Sequence, residues 1–333
     1  MRNLGPICFL FSFFLVCCGQ NKEEIKNMNP DKITLDNYKE KMLNEIKHYP
    51  EEPIYYIYVH NSLCLYEMLV NDFPIEKRFK YSTSGTPFYI NRAILKSGKQ
   101  KLTFRIYPAP KEYNKGSDVL SQFAKLSFEI LVNDNVTGLE IDNEKIILQG
   151  EAPQIKAKGY SGGQYFAGMG KKYYEYSVEF EAKVPYELES WTAGEDLRKF
   201  DPKKLEEKAL QIYDVYRNNL TTDKLENILQ MQFDNNIRDF ITEYETEERV
   251  NKMYEEVIEG ARRKKDWQDF GHKMVFYGDG RILSLIQSNE EDVRLRGRSS
   301  LFYLYNNDKN AFSTHLYLYI PRGGTIDDLQ VLR

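Results

Sequence analysis

The feature that most restricts how this chain folds is a two-residue alternation near its middle. Tyr174, Tyr176, Val178, Phe180, Ala182 and Val184 are apolar, and Glu175, Ser177, Glu179, Glu181 and Lys183 between them are polar. Successive side chains of a strand point to opposite faces, so a strand gathers all the apolar groups on one side, whereas a helix would scatter them around its axis. Leu102, Phe104 and Ile106 alternate with Lys101, Thr103 and Arg105 in the same way. Such strands are buried on one face and wet on the other, as in antiparallel sheets. Turn residues at Asn71-Asp72, Ser97-Gly98, Asn133-Asp134 and Gly162-Gly163 cut the region from Ile54 to Pro185 into short strands. The 25 tyrosines suit half-buried positions on them.

The region also repeats a phrase. Tyr66-Glu67-Met68-Leu69-Val70-Asn71-Asp72 returns as Phe128-Glu129-Ile130-Leu131-Val132-Asn133-Asp134, with five of seven positions identical. The repeat predicts either two equivalent strand-turn units in one sandwich or two small modules side by side.

Beyond Trp191 the period becomes helical. Leu205, Ala209, Ile212, Tyr213 and Tyr216 form one stripe, and Leu225, Ile228, Leu229, Phe233, Ile237 and Phe240 a second, with Thr221 and Thr222 expected as its N-cap. A third stripe, Val250, Met253, Tyr254, Val257, Ile258 and Ala261, follows Thr246. It ends in Arg262-Arg263-Lys264-Lys265 and begins with Glu247 and Glu248. That order of charge favours the helix dipole and reads as a solvated helix end rather than an anion site. Two hairpins are expected after it, one around Gly278-Asp279-Gly280 and one joining Leu301–Tyr305 to His315–Ile320.

The expected fold is therefore α+β overall. An antiparallel β-sandwich over 52–195 is followed by an α+β domain over 196–333, with 1–17 and 18–51 preceding them as signal and as tether with a short helix at Leu35, Tyr38, Met42 and Ile46.

The first residues carry an address. Arg2 precedes the apolar run from Ile7 to Val16, too short to span a bilayer and suited to an export signal, which ends at Cys17-Cys18. Leu15-Val16-Cys17-Cys18 resembles the lipobox of bacterial lipoproteins, with Cys17 departing from the usual small residue before the modified cysteine. The resemblance covers the signal only. It implies cleavage before Cys18, acylation of Cys18, and a lipid bilayer as partner in the cell envelope, at the outer membrane on its periplasmic face or at the cell surface. Lys22-Glu23-Glu24 is similar to the short acidic signal that sends lipoproteins of the Bacteroidota to the surface. Cys8 and Cys17 would leave with the signal, so Cys64, inside an apolar strand pattern, remains as a buried thiol without a disulfide partner.

The chemistry-bearing motifs are weak. Gly159-Tyr160-Ser161-Gly162-Gly163 matches the nucleophile elbow of α/β-hydrolases, but no helical pattern follows it and the alternating strand-helix order is missing. Asn133 to Glu144 matches the spacing of an EF-hand loop, with Asn133 where aspartate is usual and strand patterns at both flanks, and reads as a plain turn. His48, His60, His272 and His315 are scattered, so no metal site and no cofactor site is legible. A net charge of −4 and a pI near 5.8 give no reason to expect a nucleic-acid partner. The sequence points to a non-enzymatic envelope lipoprotein that binds a protein or glycan partner. The competing readings are an immunity or inhibitor lipoprotein that neutralises an envelope-targeted toxin, and a serine hydrolase using Ser161.

Overall fold

The structure, a computed structural model, describes residues 32–79, 87–156, 163–292, 295–307 and 310–333. A short helix α1 (Tyr38–Glu45) precedes ten strands: β1 (Pro53–Ser62), β2 (Cys64–Val70), β3 (Phe73–Arg78), β4 (Phe88–Tyr89), β5 (Gly98–Pro108), β6 (Lys125–Asp134), β7 (Lys145–Glu151), β8 (Gln154–Lys156), β9 (Gln164–Phe166) and β10 (Tyr174–Ala182). Apart from a β8–β9 ribbon, these make two four-stranded antiparallel sheets, ordered β4-β1-β6-β7 and β10-β5-β2-β3, which share one apolar core. The fold is α+β with a sandwich in its N-terminal half, as the alternation predicts.

The repeated phrase has a topological meaning. If β1 to β4 are exchanged with β5, β6, β7 and β10, the strand order of one sheet becomes that of the other. The phrase falls on β2 and β6, the corresponding inner strands, and each carries an irregularity at the same place, between Met68 and Leu69 and between Ile130 and Leu131. The two units are thus interleaved within one sandwich. Their turns differ. Asn71 and Asp72 adopt positive φ and close a two-residue hairpin of the kind that favours Asn and Asp, whereas Asn133 and Asp134 stay extended and pair with Ile54 and Pro53.

One expectation about exposure fails on β2. Glu175, Ser177, Glu179 and Glu181 of β10 do face water, but all seven residues of β2 are buried. The outer face of β2 is covered by the C-terminal part of the chain, so Glu67 meets Tyr277 instead of solvent.

Three helices follow: α2 (Pro202–Thr221), α3 (Leu225–Thr242) and α4 (Glu247–Arg262). Asp201 and Thr246 accept hydrogen bonds from the first-turn amides of Lys204 and Arg249 and cap α2 and α4. Thr221 and Thr222 do not cap α3. Their hydroxyls donate to the carbonyls of Arg217 and Asn218, one turn earlier, and close α2 instead. Tyr38 and Met42 of α1 pack, fully buried, among Phe233, Ile237 and Val250, so the early helix joins α3 and α4.

The last strands are β11 (Asp266–Trp267), β12 (His272–Tyr277), β13 (Ile282–Gln287), β14 (Phe302–Tyr305), β15 (Asn310–Ser313), β16 (Leu318–Tyr319) and β17 (Gln330–Val331). Gly278, Asp279 and Gly280, all at positive φ, turn β12 into β13 as expected. The second hairpin differs: β14 pairs with β15, and the segment expected to pair with β14 supplies β16, which joins β13 through Leu283 and Leu318. Leu283, Leu285 and Leu318 pack against Leu205, Ile212 and Tyr213 of α2. Tyr277, Ile282 and Leu332 belong to the core that fills the sandwich, so apolar packing is continuous across residue 195.

Candidate functional site

The run Arg262-Arg263-Lys264-Lys265 closes α4. Arg263 pairs with Glu259 at 2.6 Å, and the Lys265 ammonium donates to the carbonyls of Ala261 and Arg263 at 2.6 and 2.7 Å. Those carbonyls lack partners within the helix, so cations satisfy them there.

Positive charge is concentrated elsewhere, in a cleft of about 480 Å³ between the edge of the sandwich, α3 and the C-terminal strands. Each wall follows from a local feature. The Asn71-Asp72 turn starts β3, which buries Phe73, Pro74 and Ile75 and leaves Glu76, Lys77 and Arg78 half-buried along the cleft. A 3₁₀ turn at Asn91–Ala93 supplies Arg92. Asn235, Arg238 and Asp239 share one face of α3 by their spacing of three and four. The turn after β13 supplies Arg296 and Arg298, and the end of β15 with the segment after it supplies Ser313, His315 and Tyr317. Gly297 lies between the two arginines at φ +74°, and a Cβ there would meet the Phe79 ring at 2.6 Å, so backbone conformation and space both require glycine.

Six cations, Lys77, Arg78, Arg92, Arg238, Arg296 and Arg298, face two carboxylates, Glu76 and Asp239, an excess of four positive charges in a chain whose net charge is −4. Asp239 is shared by Arg92 at 3.5 Å and Arg238 at 3.6 Å, and Glu76 holds Arg78 at 3.4 Å. Among the described residues no carboxylate lies within ion-pair distance of Lys77, Arg296 or Arg298.

The floor is aromatic. The Phe73 ring stacks on Trp191 with centroids 5.0 Å apart, and the Arg238 guanidinium lies 4.5 Å from the Phe73 centroid and 5.2 Å from that of Trp191. This cation is 5% exposed, held by ring quadrupoles and one shared carboxylate. Arg296 lies 4.4 Å from the centre of Phe79 and 4.9 Å from that of Tyr107. Burial pushes the Lys77 ammonium down to about 8, with Arg105 and Lys273 adding to the effect and Glu67 opposing it. Burial also drives His315 well below its ordinary value, and Lys77, Arg298 and Arg92 add to that. Its ring is therefore neutral at pH 7.

Five buried polar atoms of the lining have no hydrogen-bond partner among the described residues: Arg92 Nε, Arg238 Nε, Asp239 Oδ1, Ser313 Oγ and His315 Nδ1. These atoms are closed to solvent, and Asp239 Oδ1 keeps the Arg238 guanidinium at 3.6 Å, so they belong to the packing behind the lining rather than to its open surface. A second cavity of about 280 Å³ adjoins it across Lys77, Phe79, Arg296 and Gly297. Its other charges are matched: Arg105 contacts Glu67 at 3.1 Å and Lys273 pairs with Glu290.

Cys18 and Ser161 fall outside the described residues. Asn133 Nδ2 donates to the Glu140 carbonyl at 2.8 Å, while Asp134 Oδ1 accepts from the amides of Glu52 and Val136, both at 3.0 Å, so these oxygens and amides tie a turn together. Among the described residues no group of three His, Cys, Asp or Glu side chains is placed to hold a metal ion, and no helix is long and apolar enough to cross a membrane. His48 pairs with Glu52 and His272 with Glu206, while His315 alone of the four histidines lines the cleft. Sequence reasoning missed the cleft because its cations come from separate segments, at 77–78, 92, 238 and 296–298, without a motif. Comparison with protein-family models, curated proteins and solved structures finds no match.

Proposed function

We propose that this chain is an envelope lipoprotein, anchored through Cys18, whose folded body captures a protein or glycan partner by the anionic groups that partner carries. The observation that supports this reading most is the excess of four positive charges in one cleft of an acidic chain. Walls of one sign focus the potential and raise the local concentration of an oppositely charged partner. An acyl anchor would hold that cleft beside a membrane, and two or more acyl chains suffice for stable attachment.

The test has two arms. Cys18→Ala is expected to lose lipid labelling and to leave the membrane fraction, whereas Cys17→Ala keeps both; labelling that persists without Cys18 refutes the anchor. Affinity capture from an envelope extract with the wild-type body and with Arg298→Glu addresses the cleft. The captured partner is expected to be lost with the charge reversal, and equal capture by both forms refutes this site.

A further inference from the structure

We infer that the Lys77 amine, where the two cavities meet, is a covalent site that takes up the carbonyl carbon of an aldehyde carrying an anionic group. This goes beyond the binding reading, which needs no bond to form. Position is the first observation. Lys77 lines both the cavity of about 480 Å³ and the adjoining one of about 280 Å³, spaces of the size that takes a small molecule.

The second is the want of a counter-ion. Glu67 stands opposite Lys77 in the β2–β3 ladder, but it spends one carboxylate oxygen on the Tyr277 hydroxyl, 3.0 Å away, and the other on Arg105 at 3.1 Å. Lys273, which also lines the smaller cavity, has Glu290 as its partner. The Lys77 nitrogen is left with the Gly297 carbonyl at 3.5 Å and the face of the Tyr277 ring, whose centroid is 5.1 Å away.

The third is the company of cations. Arg105 and Lys273 approach from β5 and β12, and Arg296 and Arg298 stand on either side of Gly297. His315 is neutral at pH 7, and burial holds the Tyr277 hydroxyl well above its ordinary value, so neither supplies an anion. Burial favours the neutral amine most, Glu67 opposes it, and Arg105 and Lys273 add to it, which pushes the group down to about 8. About a tenth of it is then neutral at pH 7, against about one part in three thousand for a lysine at 10.5.

A desolvated lysine beside other cations is an activated nucleophile toward carbonyl groups. Its nitrogen lone pair attacks the aldehyde carbon, the carbonyl electron pair moves to oxygen, and a carbinolamine forms. Loss of water then gives the imine: the carbonyl oxygen leaves with both amine hydrogens, and neither an oxidant nor a reductant is needed. Arg296 and Arg298 favour an anionic group on the rest of the aldehyde.

The experiment is labelling of the purified full-length protein with pyridoxal 5′-phosphate, trapping of the imine by cyanoborohydride, and peptide mapping of the adduct. Lys77 is expected to be modified about tenfold faster than Lys273 or more, at a rate that rises with pH up to about 8. Pyridoxal without the phosphate is expected to react more slowly, and Arg298→Ala to slow the phosphate form about tenfold, the worth of one charge-assisted hydrogen bond. Label spread evenly over Lys77, Lys273 and the surface lysines of the wild-type protein overturns the covalent site, and equal rates with pyridoxal overturn the anionic requirement. If Lys77 takes no label while Arg298→Glu still abolishes capture from the envelope extract, the covalent site falls and the binding reading survives.

Discussion

The side-chain amide of Asn91, fully buried beside β1, donates to the carbonyl of Thr242 at the last turn of α3, 2.9 Å away and 151 residues further along the chain. The same side chain donates to the Pro53 carbonyl at 2.8 Å and accepts from the Tyr55 amide at 2.7 Å. One residue thus fixes the sandwich against the helix that walls the cleft, and its neighbour Arg92 is delivered to the site. Asn91→Leu leaves three buried backbone groups unpaired, at about 1–3 kcal/mol each before relaxation. Chemical denaturation is expected to show a loss of about 3 kcal/mol or more, with anionic-ligand binding weakened as Arg92 shifts. A variant as stable as the wild type would show that the two layers are held by apolar packing alone.

Glu67 makes a comparable tie at the other side of β3. It accepts from the Tyr277 hydroxyl at 3.0 Å and from Arg105 at 3.1 Å, and its side chain is 8% exposed. Tyr277→Phe removes one hydrogen bond to a charged group and should cost about 1.5–3 kcal/mol. Glu67→Ala removes the Arg105 contact together with the Tyr277 hydrogen bond, so a larger loss than that of Tyr277→Phe is expected. Urea unfolding of both variants checks the order. Equal losses would mean that Asp72 and Glu175, which also hold Arg105, compensate it fully.

Two groups near the cleft set a dependence of stability on pH. Burial raises the Glu243 carboxyl from 4.5 to about 8, with Asp239 and Glu245 adding to the rise and Arg92 and Arg249 opposing it. Its contribution is full below pH 4.5 and is lost as pH rises through about 8. Lys77 is lowered from 10.5 to about 8, so its contribution is full above pH 10.5 and is lost as pH falls through about 8. Together they predict a minimum near pH 8 in their joint contribution. Melting temperatures of Glu243→Gln relative to wild type are expected to flatten the acid limb and those of Lys77→Met the alkaline limb. Parallel curves for all three proteins would contradict the assignment.

Cys64 is 1% exposed, its thiol donates to the Lys125 carbonyl at 3.3 Å, and burial pushes it up to about 12. A protonated and enclosed thiol is a poor nucleophile. Modification by a thiol reagent in native buffer should proceed only as fast as the sandwich opens, and should become rapid in denaturant. Immediate reaction of the folded protein would place this strand at the surface.

What the sequence determined by itself is what repeats over a few residues. The alternation on β10, the stripes of α2 to α4, the Thr246 cap and the Gly278-Asp279-Gly280 turn were legible because strand and helix periods are local properties of the chain. The duplicated phrase was legible too, and it marks the corresponding inner strands β2 and β6. The lipobox resemblance at Cys18 is likewise a matter of adjacent residues.

Tertiary structure alone decided how those pieces met. No pattern within β2 shows that its outer face is covered, because the covering residue, Tyr277, is 210 positions away. Thr221 and Thr222 have the composition of an N-cap, and only the path of the chain turns their hydroxyls back onto α2. The cleft is the fullest case. Lys77, Arg78 and Arg92 lie in a stretch from 77 to 111 that holds no Asp or Glu, yet only folding sets them beside Arg238 of α3 and Arg296 and Arg298 of the turn after β13, and the contiguous run at 262–265 is a helix end. Charge density is a property of space rather than of sequence. Folding brings these cations to one surface while dispersing the carboxylates over others, and only two of those carboxylates line the cleft.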